Sequence, residues 1–521
     1  MSSSSIPLNE SDAEIMASEQ ELAALLQQLV ALRLDMLEYA SQRLRDFRPY
    51  FSSDQFTPSA WNLAQYLALR RHDLRTLQDT LASYGFSSLG HSEAHILQTL
   101  NNLIHLLSMT LGTETPALAD AGPCVSYHSG QRLLQSHTQA VFGHAPEKRA
   151  VRIMVTLPSH AAEDYQLVRE LLARGMNCAR INCAHDSEVQ WLAMVKHVRT
   201  AASELGSECK ILMDLGGHKI RTGAIASTGK KASAVNAIRV NLGDHLLLSR
   251  NAAASTEAVY AADGSVETPV TLASTCPEIF QFISPGEAMW IDDGKIGTLI
   301  ESVSDTQAML RVTSVGPKGG RIKADKGLNF PDTALKLPAL SSKDIADLDF
   351  VARHADMVGF SFVQCLEDIC SLVDELKKRD ADQLPIIAKI ETRRAVRKLP
   401  DILLGAMGRH PIGVMIARGD LAVELGGERM AEIQEELLWV CEAAHVPVIW
   451  ATQVLESLAK KGVASRPELT DAAMGERAEC VMLNKGPYIL NAVSTLSDIL
   501  TRMEAHQLKK RSQLRALSWW S

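Results

Sequence analysis

The sequence predicts an α/β protein with a (β/α)8 TIM barrel, an inserted small β-barrel lid domain and an N-terminal α-helical domain. Eight short apolar runs alternate with segments whose apolar residues recur at helical spacing, which is the pattern of a parallel barrel. Polar residues collect where these runs end, and over a hundred residues separate the third run from the next predicted helix. The predicted strands are 151–157, 177–182, 210–215, 356–362, 385–391, 413–417, 446–452 and 480–484.

The regions outside these strands have patterns of their own. Apolar residues at helical spacing in 13–47, 61–81 and 94–111 predict the N-terminal helices. The long connection contains strand-like runs separated by turn signals such as Pro285-Gly286, which predict an inserted β domain suited to act as a lid. The predicted limits are 1–145 for the helical domain, 146–222 and 338–508 for the barrel, 223–337 for the lid and 509–521 for a tail.

Composition excludes several classes of protein. The net charge of -8 gives no electrostatic basis for binding nucleic acid. No apolar run approaches the roughly 20 residues that span a bilayer, so no membrane partner is expected. Acidic residues follow the Ser-rich start at once, which is atypical of a transit peptide and predicts a cytoplasmic location, with a plastid left open. The nine cysteines include no C-x-x-C pair, and free thiols are therefore expected.

Charged residues at the ends of two predicted strands indicate a site. Lys389 and Glu391 are two residues apart on one strand, so their side chains share a face. Asp420 follows Gly419 at the end of the next strand. A cation beside two carboxylates suits a divalent metal that holds an anionic substrate. The polar residues at the strand ends are Arg180, Asn182, Asp214, Ser361, Lys389, Glu391, Asp420, Thr452 and Asn484.

Ten motifs then follow one another along the chain. They are ARINCAH (179–185), DLGGHKIRTG (214–223), IDDGKI (291–296), KGLNFP (326–331), LPALSSKD (337–344), GFSFV (359–363), KIET (389–392), ARGDLAVE (417–424), ATQVLES (451–457) and SRPELTDAA (465–473). In this order they resemble the pyruvate kinase family from residue 151 to about residue 500. Each motif is short, and it is their number and order that make the resemblance specific.

The resemblance implies a reaction and a set of residues. It implies phosphoryl transfer from phosphoenolpyruvate to ADP, the ATP-forming step of glycolysis, followed by protonation of the enolate. The implied cofactor is Mg2+ or Mn2+, held by Glu391 and Asp420. The implied catalytic residues are Lys389, Arg180, Arg221, Thr452 and Lys219. The residues implied to bind the substrate are Lys389, Gly419, Asp420, Thr452 and Ser361. The residues implied to bind the nucleotide are Asn182, His185, Arg180 and Lys326, and Asp293 on the lid is also matched.

Three departures from the family pattern carry expectations. Two of the family's potassium ligands are replaced, by Ala184 and Leu215, and Lys219 stands where many members carry Glu, so activity without K+ is expected. Asn484 replaces a serine of the last strand motif, and an amide does not titrate, which makes proton delivery the least determined step. The family's usual C-terminal domain does not follow the last predicted barrel helix, so regulation through that domain is not expected.

Three interpretations stay open at the level of sequence. The first is an active pyruvate kinase with phosphoenolpyruvate and ADP or ATP as partners, with homo-oligomers formed through barrel contacts. The second is a metal-dependent aldolase or lyase on a related enolpyruvate barrel, which would need neither the lid nor Arg221. The third is a catalytically weak relative that acts as a binding or scaffold protein, suggested by Asn484 and the missing domain.

Overall fold

Eight parallel strands close into a barrel at the centre of the molecule. The computed structural model describes residues 10–51, 57–116, 123–226, 237–508 and 511–512. Each barrel strand pairs with its neighbours in sequence, and the first pairs with the last. The predicted (β/α)8 barrel is therefore confirmed. The strands are β1 (Arg152–Thr156), β2 (Cys178–Asn182), β3 (Lys210–Asp214), β4 (Met357–Phe360), β5 (Ile386–Ile390), β6 (Ile412–Ala417), β7 (Val448–Ala451) and β8 (Cys480–Leu483).

Barrel strands are covered on both faces, which explains their nearly continuous apolar sequence. Every residue of β5 and β6 is buried. The register brings polar residues of neighbouring strands to one level, because Asp214 lies opposite both Asn182 and Gly359. The carboxyl ends of the strands consequently form a single polar mouth above an apolar interior.

Fifteen α-helices are present in the described residues. They are α1 (Glu10–Phe47), α2 (Thr57–Leu69), α3 (Arg75–Ser83), α4 (Ile96–Thr110), α5 (Tyr127–Phe142), α6 (Tyr165–Ala173), α7 (Glu188–Leu205), α8 (Ser342–His354), α9 (Leu366–Lys377), α10 (Arg393–Met407), α11 (Arg418–Leu425), α12 (Gly427–Ala443), α13 (Glu456–Lys461), α14 (Arg466–Met474) and α15 (Ile489–Glu504). None of them combines the length and apolar character needed to cross a membrane.

The N-terminal region is helical, as predicted, but two of its details differ from expectation. The apolar pattern over 61–81 belongs to two helices, α2 and α3, because the chain turns between residues 70 and 74. Helix α5 was not predicted. Its last residues, Val141 and Phe142, pack against the inward-facing side chains of the barrel strands and close the barrel floor.

The N-terminal helices share a core with the barrel. Leu44, Phe47 and Leu63 belong to the same buried cluster as the barrel and its surrounding helices. A second cluster joins α1, α3 and α4 around Leu29, Leu81 and Leu100. The helical region is thus anchored at one end on the barrel and has its own core at the other. The domain limits given above stay predictions.

The insertion after β3 is a β structure with its own buried core. Its strands form an open six-stranded sheet and separate two-stranded sheets in the described residues, and the predicted inserted β domain is confirmed. One edge strand has only two residues before the chain returns to the main barrel, which leaves the sheet open. The strands are Ile238–Val240, His245–Ser249, Val259–Tyr260, Val266–Thr268, Val270–Ala273, Ala288–Ile291, Ile296–Val303, Gln307–Ser314, Gly320–Ile322 and Leu328–Asn329.

Two chain segments connect the insertion to the barrel and hold each other. The Thr222 N–H donates to the Lys326 carbonyl over 2.8 Å, and the Lys326 N–H donates back to the Thr222 hydroxyl over 2.9 Å. The two segments thus form a two-stranded stalk between the insertion and the barrel. Of the predicted tail, the structure describes Arg511–Ser512, which pairs with Gln507–Leu508.

Candidate active site

A buried lysine occupies the centre of the barrel mouth. Lys389 is only 8% exposed, and its Nζ lies 2.8 Å from the Ser361 hydroxyl. The same nitrogen lies 3.3 Å from Asp214 Oδ2 and 3.2 Å from Glu391 Oε1. Burial opposes the charge on Lys389, but these two carboxylates outweigh burial and raise its pKa above the usual lysine value. The mouth therefore holds a fixed ammonium group.

Asp214 connects this lysine to an arginine on the neighbouring strand. Arg180 Nε donates to Asp214 Oδ2 over 2.8 Å, and Arg180 Nη1 donates to the Thr156 hydroxyl over 3.0 Å. Burial opposes ionisation of Asp214, yet Lys389 and Arg180 hold the pKa of this carboxyl below its usual range. A Cβ on Gly359 would lie 2.5 Å from Asp214 Oδ1, so this strand position has room only for glycine.

Glu391 and Asp420 bring two carboxylates to the same mouth. Glu391 Oε2 accepts a hydrogen bond of 2.6 Å from the Phe362 N–H, and Asp420 Oδ1 lies 2.8 Å from Lys219 Nζ. Burial raises the pKa of Glu391, Lys389 opposes this rise and Asp420 adds to it. Asp420 thus disfavours the ionisation of Glu391, and a cation placed between the two carboxyl groups would relieve the repulsion.

The donor atoms fit a hard divalent ion. Both side chains offer oxygen, the ligand that Mg2+ prefers, and no sulfur ligand takes part. Within the described ranges, no three His, Cys, Asp or Glu side chains gather closely enough to enclose a metal. Two carboxylates with further ligands from water and substrate phosphate are the usual environment of Mg2+ in phosphoryl-transfer sites. Glu391 and Asp420 therefore fit the ion that the family resemblance implies.

Helix α11 begins at the mouth and is tied to the end of β7. The Gly419 N–H donates to Thr452 Oγ1 over 2.8 Å, so this amide is already engaged within the protein. Thr452 has a φ of +66°, in the left-handed region that a β-branched residue rarely adopts. The strained backbone turns the Thr452 hydroxyl toward the start of α11.

An arginine that the sequence analysis did not select fixes this strained turn. Arg418 donates to the carbonyls of Ala451 and Thr452 over 2.9 and 2.7 Å, and its guanidinium lies 4.3 Å from the centre of the Trp450 ring. Asp471 forms an ion pair with the same guanidinium. Both residues lie inside quoted motifs, ARGDLAVE and SRPELTDAA, but no local pattern reveals that the two motifs meet.

Other predicted residues lie on the lid and its stalk without joining the central cluster. The Arg221 guanidinium pairs with Asp325, donating to its carbonyl over 3.1 Å, rather than with the carboxylates of the mouth. Lys326 Nζ lies 3.2 Å from Asp292 Oδ1 on the lid. Asp293 on the lid lies 3.9 Å from Lys219.

Asn182, His185 and Asn484 lie at the rim. Asn182 Oδ1 accepts a hydrogen bond from the Ala184 N–H over 3.1 Å. His185 is exposed, and its carbonyl accepts a hydrogen bond from the Trp191 indole. Asn484 Oδ1 lies 3.4 Å from the Thr156 hydroxyl, which also accepts the hydrogen bond from Arg180. Asn484 is thus linked to the Asp214 cluster through two hydrogen bonds.

The fold and the site together define a class: a (β/α)8-barrel protein with a lid inserted after the third strand and a mouth of paired ammonium and carboxylate groups. Comparison with known proteins identifies the family within this class. The family model described as "Pyruvate kinase, barrel domain" matches residues 148–493.

Individual relatives agree with this match. The chain is 30% identical over 363 residues to a pyruvate kinase of Bacillus licheniformis, covering 68% of the chain and 57% of that protein. It is 32% identical over 364 residues to the Geobacillus stearothermophilus enzyme, with the same shares. It is 30% identical over 378 residues to the Leishmania mexicana enzyme, covering 71% and 70%. The chain belongs to the pyruvate kinase family, and it spans 57% of the length of the first two relatives.

Proposed function

We propose that this protein is an active pyruvate kinase, which transfers the phosphoryl group of phosphoenolpyruvate to ADP in the presence of Mg2+ or Mn2+. The observation that carries the proposal is the geometry of Lys389. The buried ammonium group of Lys389 contacts Ser361, Asp214 and Glu391, and these three contacts fix the position of its positive charge. A lysine on the surface has no such fixed position. Phosphoryl transfer requires fixed positive charge of this kind, because its transition state spreads negative charge over the phosphoryl oxygens.

Several groups at the mouth neutralise the negative charge of the substrate phosphate. When bound by Glu391 and Asp420, the divalent ion neutralises phosphate oxygens and orients the substrate. Lys389 faces the phosphoryl group in transfer, and Arg180 adds a second fixed cation through its contacts with Asp214 and Thr156. Ser361 accepts from Lys389 and donates to the Leu215 carbonyl over 2.8 Å, which fixes the lysine side chain.

Thr452 is the residue we assign to the enolate. Its Oγ1 accepts the Gly419 N–H, which leaves its own O–H group available as a donor. A donor at the strained end of β7 holds a proton beside the carbon that must be protonated. The substrate carboxylate binds at the start of α11, where it takes over the Gly419 N–H from Thr452 and finds the Asp420 N–H beside it.

The nucleotide binds between the mouth and the lid. Asn182 is the last residue of β2, His185 follows that strand on the barrel, and Lys326 belongs to the lid stalk, so ADP phosphates meet residues from both parts. Arg221, now paired with Asp325, becomes available to these phosphates when the lid moves. Rotation of the stalk therefore completes the site after substrates have entered.

A coupled assay tests the proposal directly. With phosphoenolpyruvate, ADP and Mg2+, we expect ATP and pyruvate in equal amounts. Glu391→Gln should lower the rate by about 100-fold or more, since it removes a charge from the metal pair while preserving side-chain size. The control is Glu432→Gln, an exposed glutamate on α12, which should keep the wild-type rate. Cleavage of a carbon–carbon bond would favour the aldolase or lyase, and no turnover at all would favour the binding protein.

Potassium independence is proposed separately. Lys219 Nζ already lies 2.8 Å from Asp420 Oδ1, at the edge of the metal pair, and provides a fixed positive charge there. We expect the same rate in sodium and in potassium buffers, and Lys219→Met should lower the rate in both. A wild-type rate that rises strongly with K+ would contradict this assignment without affecting the proposed reaction. Cytoplasmic location and assembly through barrel contacts stay predictions.

A further inference from the structure

A cavity next to the barrel mouth lies beside the lid stalk. We call it the stalk cavity: it lies between the returning lid segment 328–339 and the first turns of α9 and α10, and its volume is about 590 Å3. This size is typical of small-molecule sites. Among the described residues, its lining does not include Lys389, Glu391, Asp420 or Thr452. Lys219 and Phe362 line it, and Lys219 also pairs with Asp420 of the mouth over 2.8 Å, so the stalk cavity adjoins the mouth.

The stalk cavity has a strong excess of positive charge. Its lining has six lysine or arginine residues and three acidic residues, in a protein whose formal net charge is -8. Three of these cations have carboxylate partners, Lys219 with Asp420, Arg393 with Asp332 and Lys398 with Asp401. The remaining positive side chains repel each other, so this arrangement favours an anion from solution. The cationic residues are Lys219, Lys336, Arg393, Arg394, Arg397 and Lys398.

Only one of the three acids of the lining pairs with a lining cation in the described residues. Asp332 pairs with Arg393 over 3.3 Å. Asp368 Oδ2 accepts the backbone N–H groups of Gln364 and Cys365 over 2.7 and 3.2 Å, and so caps the start of α9. Glu424 is buried, and burial raises its pKa to about 7, so a large fraction is uncharged near neutral pH.

Donors remain available on opposite walls of the cavity. Lys336 on the lid segment and Arg397 on α10 are exposed, and neither has an ion pair or hydrogen bond in the described part of the chain. The Nε2 atom of His218 is buried without a hydrogen-bond partner among the same residues. A ligand with several acceptor oxygens would satisfy groups on both the lid and the barrel at once.

We propose that the stalk cavity binds a small molecule carrying a phosphate group, held between Lys336 of the lid segment and Arg397 of α10. A phosphate has two charges and several acceptor oxygens, which match an ammonium and a guanidinium that approach from different sides. The cavity volume of about 590 Å3 suits a small metabolite.

Binding there would fix the lid stalk. Arg393 already joins the two walls, since it pairs with Asp332 on the lid segment and donates to the Glu424 carbonyl on the barrel over 2.9 Å. A phosphate adds a second bridge between the same two parts. Its effect on turnover depends on the proposed kinase function, but the binding site itself does not.

Calorimetry with the full chain, free of metal and nucleotide, tests the site. The probes are inorganic phosphate and glycerol 3-phosphate, with uncharged glycerol as the blank. We expect Lys336→Ala/Arg397→Ala to bind about tenfold more weakly or worse, because it removes two charge-assisted contacts. The matched control Lys196→Ala/Arg429→Ala removes the same charges from exposed positions on α7 and α12 and should bind as wild type.

Two further measurements separate the stalk cavity from the mouth. Phosphate bound at the mouth would be lost in Lys389→Met, whereas phosphate in the stalk cavity would be retained. Hydrogen exchange of residues 328–339 should slow on adding phosphate to the wild type and stay unchanged in Lys336→Ala/Arg397→Ala. Wild-type binding that survives this double variant, or no binding of either probe at millimolar concentration, would overturn the proposal.

Discussion

Thr452 combines a strained backbone with a position beside the reacting groups. A β-branched residue in the left-handed region costs on the order of 1–3 kcal/mol and persists only when its surroundings impose it. Arg418 imposes it here by donating to the Ala451 and Thr452 carbonyls, and Asp471 holds the guanidinium in place through an ion pair. The strain is therefore maintained by an ion pair whose partners are 53 residues apart in sequence.

Asp471→Asn tests whether this pair positions Thr452. The amide retains the shape of the side chain but removes the charge, so Arg418 should loosen its hold on the two carbonyls. We expect about tenfold lower kcat, little change in KM, and a loss of about 2 kcal/mol in the free energy of unfolding. The control Asp498→Asn breaks an exposed pair with Arg502 and should change neither quantity measurably. An unchanged kcat in Asp471→Asn would show that the pair serves stability alone.

At the level of elements, the sequence predicted the helices and strands whose buried residues recur at a regular spacing. The eight barrel strands were predicted because both of their faces are apolar. Helix α5 was missed because its buried residues include Gly130, His137 and Thr138, which give no apolar period. The break between α2 and α3 was missed for the opposite reason, since the apolar spacing continues through a turn that has no Gly or Pro.

The junction between α10 and the end of α1 offers a test at the same scale. A Cβ on Gly408 would lie 2.4 Å from Phe51 Cδ1 and 2.7 Å from the Tyr50 carbonyl, although its φ of -75° suits any residue. We expect Gly408→Ala to lower the melting temperature through this overlap, at a cost of about 1–3 kcal/mol. Limited proteolysis should then cut within residues 10–51 before it cuts the barrel.

Gly427→Ala on α12 is the matched control for this prediction. A Cβ there meets nothing within 4 Å, and alanine favours the helix, so its melting temperature should stay the same or rise. Equal melting temperatures for Gly408→Ala and the wild type would show that the 48–51 segment is held only loosely against the barrel.

For the whole molecule, local patterns predicted the architecture and the residues of the mouth, but not the contacts that join distant parts. The positions of Lys389, Glu391 and Asp420 follow from strand ends that the sequence makes visible. The pairing of Arg418 with Asp471, the open sheet of the lid and the stalk cavity depend on how separate segments meet in space. The joint between the N-terminal helices and the barrel depends on such contacts as well.

That joint has a buried histidine at its centre. His445, between α12 and β7, is fully buried, with Nε2 2.9 Å from the Ala94 carbonyl and Nδ1 2.8 Å from the Ser59 hydroxyl. Ala94 and Ser59 belong to the N-terminal helical region. Burial lowers the pKa of His445 to about 4, with His137 and His95 adding to the effect and the Ala94 carbonyl opposing it. The neutral imidazole therefore holds the two parts together.

The shift predicts an acid-sensitive molecule. The pKa of His445 is 6.5 in the unfolded chain and about 4 in the folded protein. Between these pH values the unfolded chain binds the proton and the folded protein does not, so the free energy of unfolding falls as pH decreases from 6.5 to 4. Below pH 4 this contribution to stability is lost completely. The full contribution is on the order of 3 kcal/mol.

Urea unfolding at pH 7, 6, 5 and 4.5 should show this decline in the wild type and a shallower one in His445→Gln, whose side chain does not titrate. His160→Gln, at an exposed position, should follow the wild type. A His445→Gln curve parallel to the wild-type curve would show that other groups cause the acid sensitivity, and that the joint does not depend on the protonation of His445.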